Sequence, residues 1–310
     1  MSPVRRMLPA DVTAIAHEVA DRLYAHAQRE PLVSRRFHRI EFEQSLAGAS
    51  DPTWVNDSNG RFCGHLFGAV IDEPRNGRQA WTGPDGWSFE FEEHLDALLE
   101  VAVDHWRADG VTAHVVWVPA GAEAEPWVAR GYEVLSVRGG LAIRGAELPD
   151  PAAFADESLS VRRGSLEDFA TILAFEAMID LAQGTDVEAL SEAIRAQEES
   201  DLRETLEDPE TISYFLDHFG DSVAHCLTFP LPSIRGTHDN TLYLSDVAVE
   251  PASRGRGYGK YIVATALHDA LAAGYEYAEV RWRVTNLKGQ VLWSSFGFRP
   301  THAQLRRTLS

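Results

Sequence analysis

Residues 241–273, TLYLSDVAVEPASRGRGYGKYIVATALHDALAA, constrain this chain more than any other stretch. They predict a strand, a glycine-rich turn and a helix. Thr241 to Val249 is mostly apolar and β-branched, short, and closed by Pro251, the pattern of a buried strand. Tyr261, Ile262, Ala264, Thr265, Leu267 and Leu271 recur at helical spacing, and Gly274 stands where a helix would stop. Between them lies Arg254-Gly255-Arg256-Gly257-Tyr258-Gly259. Alternate glycines let the main chain bend tightly and let a ligand approach it. Such a turn, running straight into a helix N-terminus, aims several amides at one spot. The spot carries partial positive charge and suits an anion such as a diphosphate.

Three phosphate-binding patterns compete for this turn. A P-loop needs GxxxxGK and then Ser or Thr. Here Tyr261 follows Lys260, and only three residues separate Gly255 from Gly259. The dinucleotide fingerprint needs GxGxxG, whereas Gly255, Gly257 and Gly259 run GxGxG. The third pattern, R/Q-x-x-G-x-G/A after a strand reading V-A-V-x-P, is met by Arg254, Gly257 and Gly259 behind Val247-Ala248-Val249-Glu250-Pro251. That pattern resembles the GNAT N-acetyltransferase superfamily. The chain continues in the same order: a strand from Tyr277 to Val284, then Asn286, a short helix, and Trp293-Ser294-Ser295-Phe296-Gly297-Phe298. The resemblance covers roughly residues 160 to 310 and implies a mixed α/β sheet flanked by helices, splayed at its central strand.

An earlier segment repeats this plan. Leu95 to Trp106 predicts a helix ending at Gly110, Val111 to Val118 a β-branched strand, and Trp127 to Arg130 a short helix before Gly131-Tyr132 and a strand pair to Ile143. Gly110 precedes Gly131 by 21 residues, and Gly274 precedes Gly297 by 23. We read an internal duplication at domain-sized period. The expected organisation is two tandem GNAT-like acyl-CoA N-acyltransferase domains, 1–150 and 158–310, joined by the Pro- and acid-rich ELPDPAAFADES at 147–158. The first copy has no glycine-rich turn. Its counterpart reads Gly86-Trp87-Ser88-Phe89-Glu90-Phe91-Glu92-Glu93, and carboxylates at a helix start repel a diphosphate. That copy is expected to keep the fold without the cofactor, its six tryptophans serving the core.

Other elements follow from local pattern. Asp11 to Leu23 predicts an amphipathic helix capped by Asp11. Thr53 to Asn56 and Phe62 to Ile71 predict a hairpin about Asp57-Ser58-Asn59-Gly60. Ser165 to Met178 predicts a helix opened by a capping box, and Ser191 to Glu207 an acidic helix whose charges mark either a solvated face or an amine-attracting one. Ile212 to Phe219 and Val223 to Phe229 predict a hairpin about Gly220-Asp221, with a polar loop, 230–240, leading into the central strand.

Composition removes several classes of function. The chain has 310 residues and a net charge of -19, with the acidic excess spread over both halves. That charge argues against nucleic acid and anionic membrane as partners, and mildly favours a cationic substrate. Only Cys63 and Cys226 are present, so no disulfide framework is expected. No apolar run is long enough to span a membrane. The N-terminus carries two arginines without an apolar core behind them, so no secretory signal is read there and a cytoplasmic location is expected. The histidines are scattered, with no HExxH or paired-cysteine spacing, and no metal site is expected.

The resemblance implies acetyl-CoA as co-substrate and direct attack by a primary amine or aminoacyl acceptor in a ternary complex. The cofactor-binding residues are then Val247, Ala248, Val249, Arg254, Gly255, Arg256, Gly257, Tyr258, Gly259, Lys260 and Asn286. Turn amides take the pyrophosphate, and main-chain groups of Val247 and Val249 pair with the pantetheine arm. For the base, Asp246 and Tyr243 are the nearest candidates, with Glu250 and His225 behind them. Strand alternation places Tyr243, Ser245, Val247 and Val249 on one face and Asp246 on the other. Trp293 stands where the family usually has a tyrosine; an indole donates a hydrogen bond but is too weak an acid to protonate a thiolate. Tyr261 or water could replace it. The departure keeps open a non-catalytic acyl-CoA-binding or regulatory module. A homodimer is compatible with all of this.

Overall fold

The computed structural model describes residues 3–58, 60–183, 190–232 and 236–309. Asn59 of the first predicted hairpin turn and residues 233–235 of the polar loop lie outside these. The chain forms two compact units, 1–137 with 301–310, and 138–300.

Unit 1 opens with β1 (Val4–Arg6), α1 (Val12–Arg29) and α2 (Arg39–Ala47). Asp11 precedes α1 as expected, but its carboxylate leaves the helix uncapped. It accepts the Leu8 N–H at 2.6 Å and pairs with Arg5 at 2.7 Å. Then come β2 (Thr53–Ser58), β3 (Arg61–Phe67), β4 (Ala69–Glu73), β5 (Gly77–Thr82) and β6 (Trp87–Phe89). The expected strand Phe62 to Ile71 is two strands. β3 joins a four-stranded antiparallel sheet β1-β2-β3-β6, and β4 pairs with β5 in a different sheet. They part at Gly68, where a Cβ would lie 2.6 Å from the Trp106 ring. α3 (Glu92–Ala108), β7 (Ala113–Pro119), α4 (Glu125–Val128) and β8 (Glu133–Ala142) complete the first copy of the repeat. Trp54, Trp87, Trp106 and Trp127 are all buried in one core cluster with α3, which fits the packing role expected of them.

Unit 2 contains β9 (Leu159–Arg163), α5 (Phe169–Ala182), α6 (Glu192–Glu207), β10 (Ile212–His218), β11 (Asp221–Leu231), β12 (Thr241–Val249), α7 (Tyr258–Ala272), β13 (Tyr277–Arg283) and α8 (Leu287–Ser295). Its strands run in the order β13-β12-β11-β10-β9. All pairs are antiparallel except β12 with β13, which is parallel. Ser165 and Asp168 form the expected capping box on a short turn ahead of α5. On α6, Glu199, Asp201, Glu204 and Glu207 are exposed, and Leu202 is the buried residue, so the acidic run behaves as a solvated face.

The last strand, β14 (Arg299–Thr308), belongs with unit 1 from Thr301 onward. It pairs antiparallel with β7, from His302 opposite Pro119 to Thr308 opposite Ala113. Ala303, Leu305 and Leu309 enter the unit 1 core. The division therefore falls at 137/138 and 300/301, not at the Pro-rich segment 147–158. That segment packs within unit 2: Asp150 caps a short turn, and the Pro149 carbonyl lies 3.2 Å from His268 Nε2.

The duplication is visible element by element. α3, β7, α4 and β8 follow the same order as α7, β13, α8 and β14. Gly110 and Gly274 end equivalent helices at φ +76° and +94°, and Gly131 and Gly297 precede equivalent strands at +81° and +87°. All four positions lie in the left-handed region that favours glycine.

Candidate cofactor and acceptor site

The site grows from the way β12 and β13 part. They pair only from Thr241 opposite Tyr277 to Leu244 opposite Val280. Among the described residues no strand pairs with the β13-facing edge of β12 beyond Leu244, and this is the splay expected of the central strand. Unpaired main-chain groups on such an edge need a partner and can take an extended ligand like an added strand.

The glycine-rich turn sits at the end of that edge. Gly255 and Gly257 adopt φ +81° and +87°, a conformation that side chains disfavour. Gly257 is the N-cap of α7, with no side-chain cap bond and no acidic residue in the first turn. The first intrahelical bond runs from Tyr261 N–H to the Gly257 carbonyl at 3.0 Å. The amides of Tyr258, Gly259 and Lys260 thus stand ahead of the helical ladder, as anion donors do. A Cβ at Gly255 would meet nothing within 4 Å, so the bend is open. At Gly259 it would touch Val249 Cγ2 at 3.4 Å and Leu292 Cδ2 at 3.8 Å, so the first turn of α7 lies close to β12 and α8. Arg254, Arg256 and Lys260 are exposed around the bend. Arg254 also has a structural task, since its Nε donates to the Val249 carbonyl at 3.0 Å. That carbonyl is therefore already engaged by a side chain. Tyr258 itself is buried.

Two residues have structural tasks as well. Asn286 Oδ1 accepts the Gly289 N–H at 2.9 Å and so caps α8. Trp293 is buried with its ring edge-on to Phe298 at 5.5 Å, a packing contact. Sequence reading also missed Phe154. It lies 3.9 Å from where a Gly257 Cβ would stand and stacks on Tyr261 at 6.0 Å. The signal was hidden because its segment reads as a linker.

The face of β12 turned toward α5 carries the titratable groups. The register against β11 slips between Leu227 and Thr228. Leu227 lies opposite Asp246 and Thr228 opposite Leu244, so Ser245 is an extra, bulged residue. The bulge reverses the expected alternation. Tyr243, opposite Phe229, and Asp246, opposite Leu227, share one face instead of taking opposite ones. Ala248 follows them there, packed with Ile172, Phe175 and Leu227. Val247 and Val249 take the other face, toward α7. Glu279 lies opposite Tyr243 in the parallel register, and Arg281 follows on the same face of β13.

These groups perturb one another. Burial pushes the Asp246 carboxyl above its ordinary range, and Asp180 on α5 pushes it further; the Ser245 hydroxyl and Arg281 act in the opposite sense. Burial also raises the Tyr243 phenol, against the pull of Arg281. Glu279 is raised by burial and held in check by Arg138, 3.6 Å away. Two raised carboxyls, Asp246 on β12 and Glu279 on β13, thus lie on one face of the sheet, and perturbed carboxyls of this kind are candidates for handling a proton. Glu279, Arg281, Arg138 and Asp180 were legible as charges but not as neighbours, because register places them.

The two rear candidates for the base are engaged in packing or in turn contacts. His225 is fully buried, lies between Phe175 and Phe215, and is 2.9 Å from Ser213 Oγ. Burial lowers it to about 4, so it stays neutral and structural. The Glu250 carboxylate accepts from Ser253 Oγ at 3.2 Å and closes the short turn before Arg254.

In unit 1 the equivalent corner is built differently. Only Glu90 and Phe91 separate β6 from α3, and Glu92 and Glu93 occupy its first turn. Arg130 holds Glu92 at 3.2 Å and Asp96 at 2.6 Å.

A splayed mixed sheet with an uncapped, glycine-cornered helix start at the splay defines the acyl-CoA N-acyltransferase fold. Residues 175–298 match the model of the Acetyltransferase (GNAT) family. Among solved structures, a GCN5-related N-acetyltransferase from Sphaerobacter thermophilus is 17% identical, with TM-score 0.64, over 99% of this chain and 95% of that one. A tandem GNAT protein from the clavulanic acid biosynthesis pathway is 16% identical, with TM-score 0.57, over 99% and 98%. A GNAT-family acetyltransferase from Colwellia psychrerythraea is 14% identical, with TM-score 0.52, over 99% of each chain. No curated protein matched the sequence. Residues 175–298 thus match the GNAT acetyltransferase family, and the chain over nearly its whole length shares the fold of these GNAT structures, a tandem protein among them.

Proposed function

We propose that unit 2 binds acetyl-CoA and transfers its acetyl group to a primary amine of a small molecule, by direct attack within a ternary complex. The observation that carries this reading is the open, uncapped start of α7 beside the unpaired edge of β12. The amides of Tyr258, Gly259 and Lys260 hold the diphosphate, with Arg256 and Lys260 adding positive charge. The free edge of Val247 and Val249 aligns the pantetheine arm, and an amide on that edge polarises the thioester carbonyl as charge develops on its oxygen. The thioester supplies an activated acetyl group.

Asp246 takes the proton from the incoming ammonium. Its raised carboxyl is a stronger base than an ordinary aspartate, and it shares its face with Tyr243, whose phenol orients the acceptor. The thiolate departs without an indole acid, since Trp293 is committed to Phe298. Unit 1 keeps the fold and not the cofactor turn, because Glu92 and Glu93 stand where the diphosphate would lie. We place the protein in the cytoplasm; among the described residues no helix is long and apolar enough to cross a membrane.

Calorimetric CoA binding and thiol release from acetyl-CoA with a panel of amines test the reading together. Gly257→Glu puts a carboxylate into the amide nest. It is expected to abolish CoA binding while costing about 1–2 kcal/mol of stability for the left-handed backbone. Unchanged CoA affinity in that variant would refute the site. Tight CoA binding with no turnover on any amine would replace the enzyme with an acyl-CoA-binding module.

A further inference from the structure

We propose that Cys63, Glu90 and His94 of unit 1 form a binding site for a transition-metal dication of the zinc class. The Cys63 sulfur, a Glu90 carboxylate oxygen and a His94 ring nitrogen all lie within 4.8 Å of one another. Backbone bonds hold them there. Cys63 is in β3, and the Glu90 N–H donates to the Cys63 carbonyl at 3.0 Å, fixing Glu90 beside it. His94 is in the first turn of α3, with its N–H on the Phe91 carbonyl at 3.0 Å.

The donor set selects the ion. Thiolate, imidazole and carboxylate are the ligands of tetrahedral zinc, whereas calcium and magnesium take oxygen. One thiolate and one carboxylate neutralise a dication, and three protein ligands leave a fourth position for water or another donor.

The contacts these groups now make are exchangeable. The Cys63 thiol donates to the Arg61 carbonyl at 3.4 Å, and His94 Nδ1 accepts the Phe91 N–H at 3.3 Å. Glu90 pairs with the exposed Arg61 guanidinium, a surface ion pair that a metal can displace. Metal binding releases the thiol proton and replaces the long Phe91 bond; Phe91 is exposed, so water satisfies its N–H. The site occupies the start of α3, the counterpart of the glycine turn at the start of α7. The same corner of the repeated plan presents amides to an anion in one unit and soft donors to a cation in the other. Spacing alone gave no sign of it, because Cys63 joins Glu90 and His94 only through the pairing of β3 with β6.

The full-length chain, stripped with chelator, is titrated with cobalt(II) and then zinc(II). One equivalent of cobalt should bind with a sulfur-to-metal charge-transfer band and the visible absorption of a four-coordinate ion, and zinc should displace it. Cys63→Ser should remove the charge-transfer band, and His94→Ala should weaken both metals by at least about tenfold. Absence of the band in the unmodified chain, or wild-type affinity in the variants, would overturn the site and mark the binding as adventitious. Should Cys63→Ser fail to fold, Glu90→Gln and His94→Ala decide alone: unchanged affinity in both overturns the site.

Discussion

Without the extra residue at Ser245, Asp246 and Tyr243 would project from opposite faces of β12, and the two groups would not share the α5 side. Alternation alone reads the strand that way, because a two-residue period has no means of announcing a bulge. The raised Asp246 carboxyl leads to two linked outcomes. As a base it acts when ionised, so turnover should climb with pH through a value above the ordinary aspartate range. Asp246→Asn should erase that limb and lower kcat by about 10²–10⁴-fold. In stability the sign is opposite. The folded chain holds this proton more tightly than the unfolded chain, so stability is highest below the ordinary aspartate range and falls as pH rises through the raised value. Asp246→Asn should therefore raise the Tm at neutral pH, as a thermal melt would record; a lowered Tm would mean the carboxylate stabilises the fold. At Trp293 the expectation is negative. Trp293→Phe keeps the contact with Phe298 and should leave the pH profile of turnover unchanged, whereas loss of a basic limb would assign proton transfer to the indole.

Elements were legible wherever local pattern decides them. The strand, glycine turn and helix from 241 to 273 stand as read, because apolar spacing, Pro251 and the positive φ of Gly255 and Gly257 are local properties. β13 was legible as a strand, yet the alternating Glu279 and Arg281 acquired meaning only when its parallel register placed them beside Tyr243. Close approach was likewise invisible in the sequence. Gly139 reads as an unremarkable glycine in a strand, but a Cβ there would lie 2.4 Å from the Trp282 ring. Trp282 is buried and cannot swing away. Gly139→Ala should thus destabilise unit 2 by about 1–3 kcal/mol, the usual range for overpacking, measured as a lower denaturation midpoint at unchanged m. A neutral effect would show that β13 can shift outward.

For the molecule as a whole, the duplication was readable and the exchange of its last strand was not. Repeated helix, strand and short-helix patterns, punctuated by Gly110, Gly131, Gly274 and Gly297, gave two copies in sequence order. Contacts then assign Thr301–Ser310 to unit 1 and residues from Arg138 to unit 2. Ending the chain after Pro300 should strip β7 of its antiparallel partner, leaving it β5 alone, and remove Ala303, Leu305 and Leu309 from the unit 1 core. Hydrogen exchange should then show lost protection across Ala113–Pro119, with β10, β11 and β12 still protected; loss confined to unit 2 would contradict the assignment. What the sequence by itself determined was the glycine-cornered turn, the repeated order of elements and the family resemblance, since each rests on residues near one another in the chain. Tertiary structure alone decided the face of Asp246, the neighbours of Tyr243, the gathering of Cys63 with Glu90 and His94, and the unit to which the final strand belongs. Each of those depends on strand register and pairing between distant segments, where a shift of a single residue turns every side chain to the opposite face.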